Sequence, residues 1–268
     1  MGSNAGFIIL CSSHCMELQF SEPVWNHAFS LRAFPMRLPH QQIGGLTWHM
    51  YPNAALQFHQ DYFGNTVGVG RFDQSHSAFR FELNGLAWIH QAGRKQEACL
   101  PIYRYPSEAC GMTAPMHDFL QAEGFLSSVS AGSAVQQAAA MMDALYRRFQ
   151  YQPGATSADT KAGEAFLLGS GVCQDYAQIL IALCRARGIA ARYAAGMIPG
   201  EGATHAWVEV YDNGMWHGLD PTQNKMVDDN YLKLAQGRDA MDCRLNRGVF
   251  SGRAIQQQNV YVTLEELL

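Results

Sequence analysis

Long apolar runs are missing from this sequence. The run nearest its start, Phe7 to Cys11, is five residues with no basic flank, too short for a membrane span or a signal peptide. Basic charge is scarce as well: 19 Lys and Arg stand against 23 Asp and Glu, the formal charge is −4, and no Lys/Arg run occurs. No field is therefore present for a phosphate backbone, and a nucleic-acid partner is not expected. The seven cysteines, Cys11, Cys15, Cys99, Cys110, Cys173, Cys184 and Cys243, are odd in number and lack zinc-ribbon spacing. Cys11 and Cys15 flank His14, but no second pair completes a metal site. The expectation is a reduced, cytoplasmic protein without metal, cofactor or membrane partner. Repeats and low-complexity segments are also missing; Gln256 to Gln258 is too short to count.

The 268 residues, 48% of them apolar, suffice for two medium domains, expected at 1–105 and 106–268. The first is read as an antiparallel β-sandwich, because short alternating runs recur around Leu18, Leu56, Phe79 to Leu83 and Leu86 to His90. Asn84-Gly85 signals a hairpin, and Asp61 to Gly64 and Val67 to Gly70 add turns. Its histidines, His27, His40, His49, His59, His76 and His90, have no ligand spacing and receive no role. Pro101 to Pro115 reads as a linker. A short helix is expected over His117 to Glu123 and a longer one from Val135 to Phe149. Late in the chain, Tyr231 to Ala235 reads as a short helix after Asp228-Asp229. Gly237 to Gly252 reads as a loop and Asn259 to Thr263 as a closing strand.

Chemistry concentrates between Gly171 and Asp220. After Ser170-Gly171, apolar residues Val172, Tyr176, Ile179, Leu180 and Leu183 fall at helical spacing, which puts Cys173 in the first turn of a buried helix. Unpaired N–H groups and the positive end of the helix dipole favour a thiolate at such a position. Ala203 to Tyr211 alternates His205, Trp207 and Glu209 against Ala206, Val208 and Val210, the pattern of a strand. Asp212-Asn213-Gly214 is a hairpin signal, and Met215 to Asp220 is the return strand. With Asn213-Gly214 as a two-residue loop, Asp212 pairs with Met215. Asp220 then lies opposite Trp207, diagonal to His205 and on its face.

Nucleophile, base and carboxylate thus follow one another. Cys173 would attack an acyl carbon, His205 would carry the proton and Asp220 would fix the imidazole tautomer. The Cys173 backbone N–H, at the helix start, is a candidate oxyanion donor. Tyr151 and Gln152, in a loop leading to this helix, are candidates for one cleft wall and for assisting the oxyanion. Trp207 is counted as a cleft residue that shields the imidazole from water.

GVCQDYA (171–177), RGIAARYAAG (187–196), THAWVEVY (204–211) and LDPTQ (219–223) resemble the core motifs of the bacterial transglutaminase-like superfamily. YQPGAT (151–156), GRDAMD (237–242) and RGVFSG (247–252) resemble its flanks. The hairpin lacks the proline often found in that family, and Ala240-Met241 stands where an aromatic residue is usual. The resemblance implies an α+β fold with a papain-like catalytic core and agrees with an N-terminal β domain. Carried over by motif, the catalytic Cys, His and Asp fall on Cys173, His205 and Asp220. The function it implies is a thiol enzyme acting on amide bonds of peptides or proteins through a thioester, as a cysteine protease or amidase. A transglutaminase using an amine acceptor, and a silent peptide-binding module, are the alternatives. The oligomeric state is left open.

Overall fold

In the first strand every second residue turns inward. Leu10, Ser12, His14, Met16, Leu18 and Phe20 are buried in alternation with more exposed neighbours, and this two-residue period is what lets one face of a sheet cover a core. The computed structural model describes residues 7–126 and 132–267. Its elements run β1 (Ile8–Leu31), β2 (Gln41–Tyr51), β3 (Gln57–Gln60), β4 (Thr66–Phe72), β5 (His76–Ile89), α1 (Ala114–Ala122), α2 (Ala134–Arg148), β6 (Gln150–Tyr151) and α3 (Ala162–Leu168). There follow β7 (Ser170–Gly171), α4 (Cys173–Ala186), β8 (Ala191–Met197), β9 (Gly200–Gly202), β10 (His205–Asp212), β11 (Met215–Asp220), β12 (Lys225–Met226), β13 (Leu232–Gly237), β14 (Asn246–Ser251) and β15 (Gln256–Glu266). Among the described residues no helix is long and apolar enough to cross a membrane.

An eight-stranded antiparallel sheet is built around β1. The first half of β1 pairs with β5 and β15, the second half with β4 and β14. The change of partners falls where the β5 register breaks between Gln19 and Val24, at Pro23, which has no N–H to give a ladder. The antiparallel character is as expected; the two sets of partners are joined through the shared strand β1, and side chains of both, Phe29 and Phe72 with Phe79 and Phe81, meet in one apolar cluster. Two of the sheet's strands, β14 and β15, come from the other end of the chain, and β9 adds to β15. A boundary at 105/106 therefore does not enclose this sheet.

Asn84-Gly85 is not a turn: both residues lie inside β5, opposite Ser13 and Ser12 of β1. Gly85 serves by having no side chain. A Cβ there would meet Leu46 Cδ2 at 2.5 Å, and Leu46 belongs to a bulge of β2 between Gly44 and Thr47. Asp61 to Gly64 does turn, with Asp61 Oδ1 accepting from the N–H groups of Phe63 and Asn65.

The second body is a five-stranded antiparallel sheet in the order β12-β11-β10-β8-β13. Helix α4 packs its Tyr176, Ile179, Leu180 and Leu183 with Val208 and Val210 of β10 and Tyr193 and Ala195 of β8, in one cluster with α2 and α3. Burying an apolar stripe of this kind is worth about 1.5–3 kcal/mol per large side chain. Tyr231 to Ala235 is not a helix: Tyr231 leads into β13, which pairs with β8. All six residues of β13 are buried, so its two faces give no polar alternation to read. Part of the expected loop 237–252 is likewise β14.

The two sheets are fastened to each other. Gln41 of β2 donates to the Met36 and Lys233 carbonyls at 2.7 and 2.8 Å and accepts from the Lys233 N–H at 2.8 Å. Leu10, Ile43, Val262 and Leu264 share an apolar cluster with Met197, Leu232 and Leu234.

Candidate active site

Chain geometry just before α4 is set by Asp175. Its Oδ2 accepts from the Val172 N–H at 2.8 Å and from the Thr156 hydroxyl at 2.6 Å, closing the first turn as a helix-capping carboxylate does. A Cβ on Gly171 would stand 2.4 Å from that same oxygen, so glycine is required there. Burial pushes the Asp175 carboxyl up, against hydrogen bonds from Thr156 and Val172 that pull it down. Sequence reasoning overlooked Asp175, although its place as the third residue of the helix is a recognisable capping signal. Cys173 is then the first helical residue, partly exposed, with its N–H among the first-turn donors that have no intrahelical acceptor.

The hairpin forms in the expected register. Asp212 pairs with Met215, and the ladder continues to Val208 opposite Leu219. Asn213 and Gly214 adopt φ of 48° and 83°, as a two-residue turn with positive φ at both positions demands. This register delivers Asp220 to His205: Nε2 of the imidazole lies 2.7 Å from Asp220 Oδ2. The Cys173 thiol lines the same cleft and is close enough to act on the ring's charge, and with Nε2 taken by Asp220 the nitrogen left available is Nδ1. Burial alone would lower the imidazole. The hydrogen bonds and charges of Asp220 and Cys173 outweigh it and raise His205 to about 9.

Asp220 is fully buried and has four donors. His205 and the Tyr231 hydroxyl, at 2.6 Å, share Oδ2, while the N–H groups of Thr222 and Gln223 reach Oδ1 at 2.9 and 3.2 Å. Burial pushes its carboxyl up, but these donors, His205 first, hold it below the usual range. Burial and the Asp220 hydrogen bond keep Tyr231 protonated. Tyr231 was not singled out in the sequence, since its link to Asp220 depends on the β13 strand read there as a helix.

Trp207 is not a cleft residue. It is 1% exposed and packs edge-on to Tyr231, ring centroids 5.4 Å apart. The alternation that puts it on the His205 face also turns it into the interior, where it backs the tyrosine that holds Asp220. Tyr151 lies on β6 beside Gly171, half exposed and close enough to Cys173 for that thiol's charge to add to the burial that raises its hydroxyl. The Gln152 N–H donates to the Gly171 carbonyl at 2.8 Å, so that backbone group is already used.

Cys173 and His205 open on a cleft of about 580 Å³ between the two sheets, bordered by Tyr193, Met16, Leu18 and Arg244. Among the other cysteines, burial pushes Cys110 and Cys184 up to about 12 and Cys243 well above its ordinary value. Chemically, the cleft offers a thiol at a helix start, an imidazole poised to exchange its proton and a carboxylate that orients the ring.

Residues 123–221 match the Transglutaminase-like superfamily, and residues 12–87 match the Bacterial transglutaminase-like N-terminal region. An uncharacterized protein of Mycobacterium tuberculosis (strain ATCC 25618 / H37Rv) is 38% identical over 39% of this chain and 38% of its own length. One of Mycobacterium leprae (strain TN) is 30% identical over 45% of this chain and 46% of its own. The matches thus span less than half the length of these relatives. The crystal structure of "a Putative Cysteine Protease from Cytophaga hutchinsonii" has the same fold, with a TM-score of 0.80 at 22% identity over 97% of this chain and 91% of that one. With a bacterial transglutaminase-like N-terminal region in front of a transglutaminase-like core, the chain belongs to the transglutaminase-like superfamily.

Proposed function

We propose that the protein is a thiol enzyme that cleaves amide bonds of peptides or proteins through a thioester on Cys173. The observation that carries this reading is the 2.7 Å bond between His205 Nε2 and Asp220 Oδ2, with Cys173 at the start of α4 on the other side of the ring. Cys173 Sγ attacks the acyl carbon as its proton passes to His205 Nδ1. The oxygen charge that develops is stabilised by the Cys173 N–H, and the C–N bond breaks as the imidazolium protonates the leaving amine. Water then attacks the thioester, giving its proton to His205, and the thiol is restored as the acid departs. Asp220 keeps the proton on Nε2 and supports the positive ring; Tyr231 and the two backbone donors keep Asp220 ionised and aimed. Water is the favoured acceptor, because no second site for a dilute amine is evident along the cleft.

The test is mass spectrometry of the protein with a peptide and glutaminyl-substrate library, with and without a primary amine, beside Cys173→Ala. Cleaved or deamidated products that vanish in the variant support the hydrolase. Amine adducts that outcompete hydrolysis would make it a transglutaminase, and no turnover in either arm would leave a peptide-binding module.

A further inference from the structure

The cleft continues beyond Cys173 onto the sheet that both ends of the chain build. Its floor there is the β1 face carrying His14, Met16 and Leu18, alongside Val260 and Gln258 of β15. In the β1–β15 register Met16 faces Val260, Leu18 faces Gln258 and His14 faces Val262. His14 stands apart in this apolar strip. It is 3% exposed, yet apart from its own backbone neither ring nitrogen has a hydrogen-bonding partner. Leaving a polar atom of a buried ring without a partner elsewhere in the fold is costly, and the ring's aromatic neighbour, Phe81 at 6.4 Å between centroids, offers no conventional donor or acceptor. Burial pushes the imidazole down to about 4, so near neutral pH it carries no charge and offers one N–H donor and one nitrogen acceptor.

We propose that His14 is a substrate-recognition residue: the cleft takes the acyl donor as an extended polypeptide, and His14 hydrogen-bonds a neutral amide of that chain away from the scissile bond. This rests on reading Cys173 as the acyl acceptor. A neutral amide suits whichever ring nitrogen faces the cleft, giving a carbonyl to an N–H or an N–H to a lone pair. A carboxylate can only accept and would lose its hydration against an uncharged imidazole, so at this position glutamine is preferred to glutamate. The strip beside His14 is neutral too, with Gln258 the next polar side chain along it. Two cations, Arg244 and Arg247, border the cleft outside this strip, and Arg244 is already engaged by Asp159.

The test titrates full-length Cys173→Ala protein, which binds without turnover, with capped peptide pairs that differ only by Gln or Glu at successive positions. Calorimetry should find one position where glutamine binds about tenfold or more tightly than glutamate, since an unpaired buried group costs that much. His14→Phe keeps a flat ring and should erase that preference, whereas His14→Gln, with a donor and an acceptor, should retain it. Saturating peptide should also shift the ¹⁵N resonances of His14 in the protein that keeps this residue. A parent protein that binds no peptide, a glutamate preference, a His14→Phe protein that binds like its parent, or unmoved His14 resonances at saturation would each overturn the inference. Iodoacetamide labelling of Cys173 separates the two readings. If that thiol reacts no faster than the others while His14 still selects the amide, the enzyme reading fails and the recognition role stands.

Discussion

Strand β10 carries two buried charge clusters on one face, four residues apart, and they have opposite characters. At Glu209 the carboxylate meets Arg192 and Lys233, each at 2.6 Å, and Arg192 also reaches Glu97 at 2.7 Å and lies 4.0 Å over the Trp216 ring. Burial pushes the Glu209 carboxyl up, but Lys233 and Arg192 overcome this and hold it far below the usual range. Burial and the like charge of Arg192 bring Lys233 down to about 8, so the carboxylate is the firmly charged member. At His205 the carboxylate is just as well satisfied, but the imidazole is not: one nitrogen is bound by Asp220 and the other faces a thiol and the cleft. A closed cluster fastens elements together, and an open one keeps a group ready for chemistry. The same alternation along β10 produces both.

The comparison can be broken at either end. Cys173→Ala should abolish turnover while leaving the urea midpoint nearly unchanged, because the thiol is partly exposed. Asp220→Asn should lower kcat/KM on the order of 10³–10⁴-fold by favouring the wrong imidazole tautomer, measured on whichever substrate the mass-spectrometric screen returns. Glu209→Ala should act on stability instead, costing about 3–5 kcal/mol in denaturant unfolding, since it strands Lys233 in the interior and leaves Arg192 with Glu97 as its one carboxylate. Equal losses of activity and stability for these last two variants would mean that the clusters do not differ as described. Tyr231→Phe removes one donor from Asp220 and should cost about 1.5 kcal/mol of stability, with a smaller fall in rate than Asp220→Asn.

The comparison also has a signature in pH. The folded protein holds the His205 proton more tightly than the unfolded chain, at about 9 against an ordinary 6.5. Its contribution to stability is therefore complete below about pH 6.5 and is lost as pH rises through about 9. Urea midpoints of the parent, compared with those of Asp220→Asn, should converge across that interval.

Much of this site was legible because it is local. The turn residues Asn213-Gly214 fix a register, the register carries Asp220 to His205, and Ser170-Gly171 ahead of a helical pattern places Cys173. What was missed depends on distant parts of the chain. Strand β13 lies buried on both faces beside β8, so its pattern resembled a short helix and its neighbour Tyr231 went unnoticed. Asn84-Gly85 looked like a turn because the bulge of β2 that needs its missing side chain lies some forty residues earlier. His14 stood out only as the histidine between Cys11 and Cys15, since the cleft it borders is completed by β15, almost the whole chain away.

The most direct measurement is the rate at which iodoacetamide labels each cysteine of the native protein at pH 6, followed by peptide mapping, in the parent, Asp220→Asn and Glu209→Gln proteins. Cys173 should react about tenfold or more faster than Cys110, Cys184 and Cys243, whose thiols burial pushes up, slow markedly in Asp220→Asn and be unchanged in Glu209→Gln. A Cys173 that labels no faster than those buried thiols, or that responds to the two substitutions alike, would contradict this reading of the site.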